Sequence, residues 1–390
     1  MSEPVLRIIG TSATLTPEVC RRAREDLGFA LQFEVLDGVD CLRRGVTAPE
    51  SYDIYDQWFH SVDLMWTAGA IQPIETTRIR RWSDVVPAGA VEVAWRGAGS
   101  RPGDVLYVHA DGKLAGTRDG AGAARISMLP TVYNADSFVY LPEVARHYGP
   151  GADESWAWLL DDAWHGRCAL GADPAGSAVE LALAARAAGI IDARDPGNLT
   201  IEEIDELFAF LMSRRRTGHF GRYWDSNEEA LRLMKGSATA IGSLWSPAYF
   251  HLRGQGLDFV YADPREGSRG WHSGQCISAA VEGEVLEMAY AYLNWWLGGV
   301  PGAIMARRGY YVTVAGPLQE HLSPAEWDYW YAGKPAAADL PGPDGVLLPL
   351  RGEVRAGGSY RDRMKRITVW STIMPEHNYL IRRWREFIAP

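Results

Sequence analysis

The chain has 390 residues, of which 47% are hydrophobic and 23% are charged, a composition typical of globular proteins with a substantial core. Its length favours two domains over one. The formal net charge of −10 argues against a basic nucleic-acid-binding surface, and no run of 18 apolar residues predicts a transmembrane helix.

The opening ten residues, MSEPVLRIIG, lack the basic and apolar regions of a secretory signal peptide. Two interpretations follow: a leader has been removed, or the protein is cytoplasmic. The four cysteines, Cys20, Cys41, Cys168 and Cys276, do not have the spacing of a zinc site or of a dense disulfide framework. We expect buried thiols, with a Cys20–Cys41 disulfide as the alternative for an exported protein.

The first part of the chain alternates short apolar runs with helical segments. Thr16 as N-cap, Pro17 in the first turn and Gly28 at the end predict a helix over 16–28. The predicted strands around it are VLRIIG (5–10), LQFEVLDG (31–38) and SYDIYDQW (51–58). Strands that alternate with helices predict a parallel sheet.

Residues 84–125 have a different pattern, which we interpret as an insertion. DVLYVHADGKLAGT (104–117) predicts a hairpin that turns at Asp111-Gly112. The glycine-rich segment 116–125 predicts a mobile loop.

The second part of the chain again alternates helices with strands. SWAWLLDDAWHGRCALG (155–171) predicts a helix that leads into a strand, and Thr200 with Glu203 predicts a capping box. Ser226 with Glu229 predicts a second box. ATAIGSLWSP (238–247) predicts a buried strand that ends in an aromatic residue and a Ser-Pro break.

Sequence motifs for catalysis, metals and phosphates are missing. The chain has no nucleophile elbow, no metalloprotease motif and no phosphate-binding loop, so we expect no cofactor, no metal and no enzyme activity. His272 and Cys276 are four residues apart, and we expect a packed pair rather than a catalytic one. Several aromatic residues instead lie at predicted strand ends, and ligands bind outside the carboxyl ends of strands in open α/β sheets. They are Trp58, Tyr133, Trp245, Trp271 and Tyr310.

The order of several segments resembles the spermidine/putrescine-binding type of periplasmic solute-binding protein of ABC importers. The segments are YDIYDQWF (52–59), SWAWLLDDAWHGRCALGADP (155–174), the stretch from 233 to 271, MAYAYLNWWLGG (288–299) and RRGYYV (307–312). The resemblance covers roughly residues 5–315 and the last helix, through many weak matches rather than one sharp motif.

The resemblance implies which residues line a ligand cleft between two lobes. Trp245, Trp271 and Tyr310 match cleft aromatics, Asp173 matches a cleft carboxylate, and Gln57 and Phe59 match positions that flank Trp58. The Ser246-Pro247 break then frees the Trp245 side chain to face the cleft. The residues that we predict to bind the ligand are Thr11, Ser12, Asp56, Gln57, Trp58, Tyr133, Asp136, Asp173, Trp245, Trp271, Ser273 and Tyr310.

This sequence departs from the polyamine-binding pattern at several acidic positions. The first strand is followed by Thr11, Ser12 and Ala13, and Ser273 and Gly176 occupy two positions that are acidic in that pattern. A polyamine needs carboxylates that pair its separated ammonium groups. A smaller solute with one cationic centre, or a zwitterion, fits an aromatic site with one or two acids better.

The predicted fold is α/β, with two lobes that each have a mostly parallel sheet flanked by helices. Lobe 1 comprises 1–134 and 272–316, and lobe 2 comprises 135–271 and 317–390. The resemblance implies an extracellular or periplasmic monomer that captures a small amine, quaternary ammonium or zwitterion and delivers it to an ABC permease. The alternatives are a cytoplasmic small-molecule sensor and an enzyme on the same scaffold.

Overall fold

The structure, a computed structural model, describes residues 4–85, 101–120, 124–236, 238–371 and 373–389. These residues form two compact units. Unit 1 contains the described residues up to Asn134 and those from Trp271 to Trp327. Unit 2 contains Ala135–Gly270 and the residues from Asp328 onward.

Both units mix strands and helices, which confirms the predicted α/β class. The strands are β1 (Val5–Gly10), β2 (Ala30–Val35), β3 (Ile54–Trp58), β4 (Ile71–Gln72), β5 (Ile74–Glu75), β6 (Tyr107–Val108), β7 (Leu114–Ala115), β8 (Arg125–Ile126), β9 (Leu129–Asp136), β10 (Phe138–Tyr140), β11 (Cys168–Gly171), β12 (Phe220–Trp224), β13 (Ile241–Ser243), β14 (Val260–Tyr261), β15 (Ser268–Ser278), β16 (Tyr311–Val312) and β17 (Ile367–Trp370).

The helices cover the sheets. They are α1 (Pro17–Leu27), α2 (Gly38–Thr47), α3 (Val62–Thr67), α4 (Pro142–Tyr148), α5 (Pro174–Ala187), α6 (Ile201–Arg216), α7 (Asn227–Lys235), α8 (Ser246–Gly254), α9 (Gly283–Trp296), α10 (Val300–Arg307), α11 (Pro324–Trp330), α12 (Tyr360–Lys365) and α13 (His377–Ile388). Within the described residues, none of these helices combines the length and the hydropathy that a bilayer-spanning segment requires.

The main sheet of unit 1 has parallel strands at one side. Its order is β16-β9-β15-β3-β1-β2, and β1 pairs in parallel with both β2 and β3. The carboxyl ends of these three strands therefore meet at one edge of the sheet, which we call edge 1. A second, antiparallel sheet in unit 1 has the order β5-β8-β6-β7.

The sheet of unit 2 has the order β12-β11-β13-β10-β14. β11 pairs in parallel with β12 and β13, whereas β10 is antiparallel to β13 and β14. The carboxyl ends of β11, β12 and β13 form the corresponding edge of this sheet, which we call edge 2. Its apolar core lies against α5, α6 and α13, through residues such as Leu181, Phe208 and Trp384.

Local capping signals confirm several predicted element boundaries. Thr16 caps α1, and Gly28 ends it with a positive φ of 68° that glycine adopts without strain. The Thr200–Glu203 capping box is present. At Ser226 only half of the predicted box forms, because the Glu229 carboxylate accepts the N–H of Asp225 instead of that of Ser226.

Two further predictions concern the insertion and the tryptophan-rich segment 155–171. The hairpin between β6 and β7 forms with Gly112 at a φ of 83°, while part of the predicted glycine loop, 121–123, lies outside the described residues. In segment 155–171 the predicted strand is confirmed as β11, but the predicted helix before it is wrong: two 3-10 turns, Trp156–Leu160 and Asp162–Trp164, precede β11. Asp161 separates them because its backbone is extended and its side chain caps the second turn.

Candidate functional site

Edge 1 begins where β1 ends, at residues 11–14. The N–H groups of Thr14 and Leu15 donate to the carbonyl of Thr11 at 3.3 and 3.0 Å, so the chain turns immediately after the strand. Ser12 is exposed at this turn and Thr11 is buried. Of the two predicted hydroxyl contacts, Ser12 is therefore the one that solvent reaches.

Asp56 in β3 lies in the interior of unit 1. Its side chain is 0% exposed and accepts hydrogen bonds from Thr14 Oγ1 at 2.7 Å and Gln275 Nε2 at 2.9 Å. Burial raises the pKa of Asp56 to about 6, and the two hydrogen bonds oppose that rise. The predicted role of Asp56 in ligand binding stays a prediction, since both carboxylate oxygens already have protein donors.

Gln57 and Trp58 are the last two residues of β3 and lie at edge 1. The Gln57 amide donates to the carbonyl of Gly38 at 3.0 Å and accepts the N–H of Trp58 at 3.2 Å. The Trp58 ring stacks with His60 at 5.5 Å and lies against Gly38, where a Cβ would approach the ring to 2.5 Å. Gly38 thus makes room for the indole, which remains partly exposed.

The other predicted aromatics of unit 1 are buried in pairs. Trp271 and Tyr310 meet edge to face, with ring centroids 5.1 Å apart. Tyr133 packs against Tyr311 at 6.2 Å and against His272 at 5.5 Å. Ser273, which follows His272, is buried and pairs with Trp58 across the strands. The structure therefore places Ser273 at edge 1 beside Trp58.

His272 was not among the predicted ligand-binding residues. Its ring stacks on Phe59 at 4.7 Å and is 3% exposed, and within the described part of the chain neither ring nitrogen has a hydrogen-bond partner. Burial lowers the pKa of His272 to about 3 and raises that of Cys276 well above its usual value. These shifts oppose the imidazolium–thiolate pair that a cysteine nucleophile needs.

The thiols of the chain are free and buried. This holds for Cys20, Cys41, Cys168 and Cys276, so the Cys20–Cys41 disulfide considered from the sequence is not formed. Burial raises the pKa of Cys20 to about 11. Among the described residues no group of three or more His, Cys, Asp or Glu side chains is arranged to hold a metal ion.

Edge 2 carries two tryptophans that contact each other. Trp224 ends β12 and Trp245 follows β13, and their rings meet edge to face with centroids 5.0 Å apart. Gly171 ends β11 between them, and the Trp224 ring lies 3.5 Å from the position of a Cβ on this glycine. A Cβ at position 171 would make an ordinary contact with this ring, but it would approach Ser177 Oγ to 2.7 Å, so Ser177 would have to shift.

The Ser-Pro break after Trp245 is the start of a helix. Trp245 is the N-cap residue of α8, with extended backbone, and Pro247 lies in the first turn, where its missing N–H costs nothing. The Trp245 side chain is only partly buried. A strand end followed at once by a helix start thus holds this indole at edge 2.

Asp173 begins the helix that follows β11. Its carboxylate accepts the N–H of Gly176 at 2.8 Å and caps α5. Part of the residue is exposed, although protein surrounds its carboxyl group, and this burial raises its pKa while the Gly176 N–H and Arg269 oppose the rise. Asp173 and Trp245 follow adjacent strands of one sheet, so the structure brings these two predicted contacts to the same edge.

Asp136 forms part of a buried ion cluster that sequence reasoning missed. Arg269, which is 5% exposed, donates to Asp136 at 3.3 Å and to Glu180 at 2.9 Å. No sequence signal identified this cluster, because its members are separated by 133 and 89 residues. The charge of Asp136 is therefore already paired with that of Arg269.

Comparison with known proteins supports the fold. Neither a protein-family model nor a curated protein matches this sequence. A putative spermidine/putrescine ABC transporter from Listeria monocytogenes is 14% identical, with 99% of each chain covered and a TM-score of 0.65. The spermidine/putrescine ABC transporter substrate-binding protein PotD from Streptococcus pneumoniae is 15% identical, covering 98% of this chain and 99% of that one with a TM-score of 0.61.

A third similar structure has a different ligand. The PBP AgtB from A. tumefaciens R10, in complex with agropinic acid, is 13% identical over 100% of both chains, with a TM-score of 0.60. The protein thus has the two-lobe α/β fold of ABC-transporter solute-binding proteins. The resemblance inferred from the sequence is confirmed at the level of the fold.

Proposed function

We propose that this protein is the solute-binding component of an ABC importer and captures a small organic solute with one cationic centre. The observation that carries this proposal is edge 2, where the partly exposed Trp245 contacts Trp224 and lies at the same edge of the sheet as Asp173. The face of an indole attracts a cation, and a nearby carboxylate pairs its charge. Amines, quaternary ammonium compounds and zwitterions share this chemistry.

Edge 1 supports a second, less charged set of contacts. Ser12 offers an exposed hydroxyl, and Trp58 offers a partly exposed ring. The one predicted acid near this edge, Asp56, is fully buried and hydrogen-bonded within the protein. We therefore assign the cationic group of the solute to edge 2.

The similar structures have different ligands, so the ligand class is argued from the site. Two of the compared proteins have spermidine and putrescine in their names, and a third is complexed with agropinic acid. We further propose that the protein delivers the solute to an ABC permease and that this takes place outside the cytoplasm.

The proposal is tested by titrating the protein, after denaturation and refolding to remove carried ligand, with a panel of small solutes. The panel contains quaternary amines, betaines, amino acids, primary amines and polyamines, and the measurements are thermal shift and calorimetry. A solute at 100 times its Kd stabilises the folded protein by about 2.7 kcal/mol. A dose-dependent shift from a monocation or zwitterion is the expected result.

The matched variants are Trp245→Ala and, as control, Trp82→Ala, which removes a partly buried tryptophan from unit 1. We expect Trp245→Ala to weaken binding of the identified solute by about 30-fold or more, since buried aromatic contacts dominate binding energy. Trp82→Ala should keep the affinity. Near-native affinity in Trp245→Ala would contradict the assignment of the binding site to edge 2. Turnover of a bound solute would indicate an enzyme instead of a binding protein.

A further inference from the structure

The carboxylates near edge 2 already accept hydrogen bonds from the protein. Asp173 Oδ2 accepts the N–H of Gly176 at 2.8 Å. Glu180 Oε1 and Asp136 Oδ2 accept from Arg269 at 2.9 and 3.3 Å. Glu180 Oε2 has no partner among the described residues, but this atom is closed off from solvent. These acids therefore give the region negative charge while their oxygens are engaged or out of reach.

Other oxygens at this edge are engaged in the same way. Ser243 Oγ accepts the N–H of Gly171 at 3.0 Å, and the carbonyls of Trp224 and Trp245 accept backbone N–H groups at 2.7 and 3.2 Å. The Trp224 side chain adds only a donor, its buried Nε1, which has no partner in the described part of the chain. Among the described residues, the groups that meet at edge 2 therefore offer aromatic surface more than unoccupied acceptors.

The kind of cation that fits such a surface follows from its hydrogen-bonding needs. A primary ammonium has three N–H donors, which lose their water on binding and need acceptors in exchange. A quaternary ammonium has no donor to satisfy, and the face of an indole attracts it. Trp245 is partly exposed, and its ring contacts that of Trp224 with centroids 5.0 Å apart and planes at 88°. Edge 2 thus suits a cation without N–H groups.

We propose that the cationic centre of the solute is a quaternary ammonium that binds on the ring of Trp245. The negative charge of Asp173, at the same edge, stabilises this cation through space instead of through a hydrogen bond. This inference rests on the proposed function and deepens it: the solute class narrows from small cations in general to compounds with a fully alkylated nitrogen.

The test uses two pairs of probes, and the members of each pair differ by three N-methyl groups at constant charge. The pairs are choline with ethanolamine, and 4-(trimethylammonio)butanoate with 4-aminobutanoate. Calorimetry measures the Kd values with the wild-type protein. We expect at least one trimethylammonium compound to bind, and to bind about tenfold or more tightly than its primary amine.

Two controls separate the positive charge from the shape of the probe. The carbon isosteres 3,3-dimethyl-1-butanol and 5,5-dimethylhexanoate keep the three methyl groups and lack the cation, so they should bind about tenfold more weakly than the matching trimethylammonium compound. Trp245→Leu keeps an apolar side chain without a ring, and Trp82→Leu is the matched control. We expect Trp245→Leu to weaken the trimethylammonium compound by about tenfold and the primary amine by less than about threefold. Trp82→Leu should change neither.

Four outcomes would overturn the inference. They are no binding of either trimethylammonium compound, a primary amine that binds as tightly as its methylated partner, an isostere that binds as tightly as the cation, and an equal loss for both members of a pair in Trp245→Leu. In each case the proposed function stands if a monocation or zwitterion of the solute panel binds and Trp245→Ala loses it. If no solute of the panel binds, the proposed function fails, and the inference fails with it.

Discussion

Edges 1 and 2 occupy the same topological position in their sheets, yet they differ in charge. At edge 2, Asp136 and Glu180 pair with Arg269, whose charge also acts on Asp173, and two tryptophans at this edge contact each other. At edge 1, the predicted contacts are hydroxyl, amide and aromatic groups, and the one predicted acid, Asp56, is bonded to neutral partners. In both sheets the carboxyl ends of parallel strands bring polar and aromatic side chains to one edge, while the charge at each edge depends on which residues the fold packs against it.

The largest expected effect comes from removing the cation at edge 2. Arg269→Met leaves Glu180 buried without its guanidinium, and we expect a loss of about 3–5 kcal/mol in unfolding free energy at pH 8. Urea denaturation measures it. Arg43→Met, which removes an exposed pair with Asp40, is the matched control and should change stability by about 1 kcal/mol or less.

The pH dependence of Arg269→Met distinguishes a charge effect from a packing effect. Burial raises the pKa of Glu180 in the native protein, and Arg269 opposes that rise. Without Arg269 the pKa rises further, so the folded variant binds a proton more tightly than the unfolded chain does. The loss should therefore shrink as the pH falls from 8 to 5; a loss that is independent of pH would make Arg269 a packing residue.

At edge 1 the corresponding experiment removes an acid. The pKa of Asp56 is raised to about 6 in the fold, against an ordinary value of 3.8, so ionisation of Asp56 lowers stability as the pH rises from about 4 to 6. Asp56→Asn should abolish that decrease and stabilise the protein by about 3 kcal/mol at pH 7.5, since each pKa unit corresponds to about 1.4 kcal/mol.

The asparagine has suitable partners in the native structure. Gln275 Oε1 is buried and has no hydrogen-bond partner within the described residues, so an amide flip of Gln275 lets it accept from the new side chain. Thr14 can still donate to the Asn oxygen. Unfolding free energies measured from pH 4 to pH 8 check the expectation, and a destabilised variant with unchanged pH dependence would contradict it.

The smallest expected effect concerns His272 near edge 1. His272→Phe keeps a ring between Phe59 and Tyr133 and removes two nitrogens that have no partner among the described residues. We expect a gain of about 1 kcal/mol in unfolding free energy, because an unsatisfied buried polar group destabilises a fold. With a pKa of about 3, His272 stays neutral, so the gain should be constant from pH 5 to pH 8. A destabilised His272→Phe would show that its nitrogens are hydrogen-bonded in solution.

Much of the local structure followed from the sequence because its signals are local. Thr16, Gly28 and the Thr200–Glu203 box mark helix ends through groups only a few residues apart. The end of a strand shortly before Trp245 was visible in the same way. The Ser246-Pro247 pair was interpreted as a break, and the structure shows a helix start, because proline serves both roles and only the following residues decide.

The tryptophan-rich segment 155–171 shows where local signals fail. Its composition suits a helix, but Asp161 caps a second short turn and stops the first. The buried rings of Trp156 and Trp158 pack against Phe138 in unit 2 at 5.3 and 6.3 Å. Packing within unit 2 therefore outweighs helix propensity in this segment.

The sequence by itself determined the α/β class, the main helix caps and the strand-end positions of Trp58 and Trp245, since each depends on neighbours a few positions away. The strand-end positions expected for Tyr133 and Trp271 are wrong, because these residues lie within β9 and β15. Only the tertiary structure decided which acids are available. Asp136 is paired with Arg269, Asp56 is buried on neutral partners, and Asp173 caps a helix at a partly exposed edge. The type of a residue fixes which charge its side chain can carry. Its burial and its counter-ion depend on residues about a hundred or more positions away, which only the fold brings together.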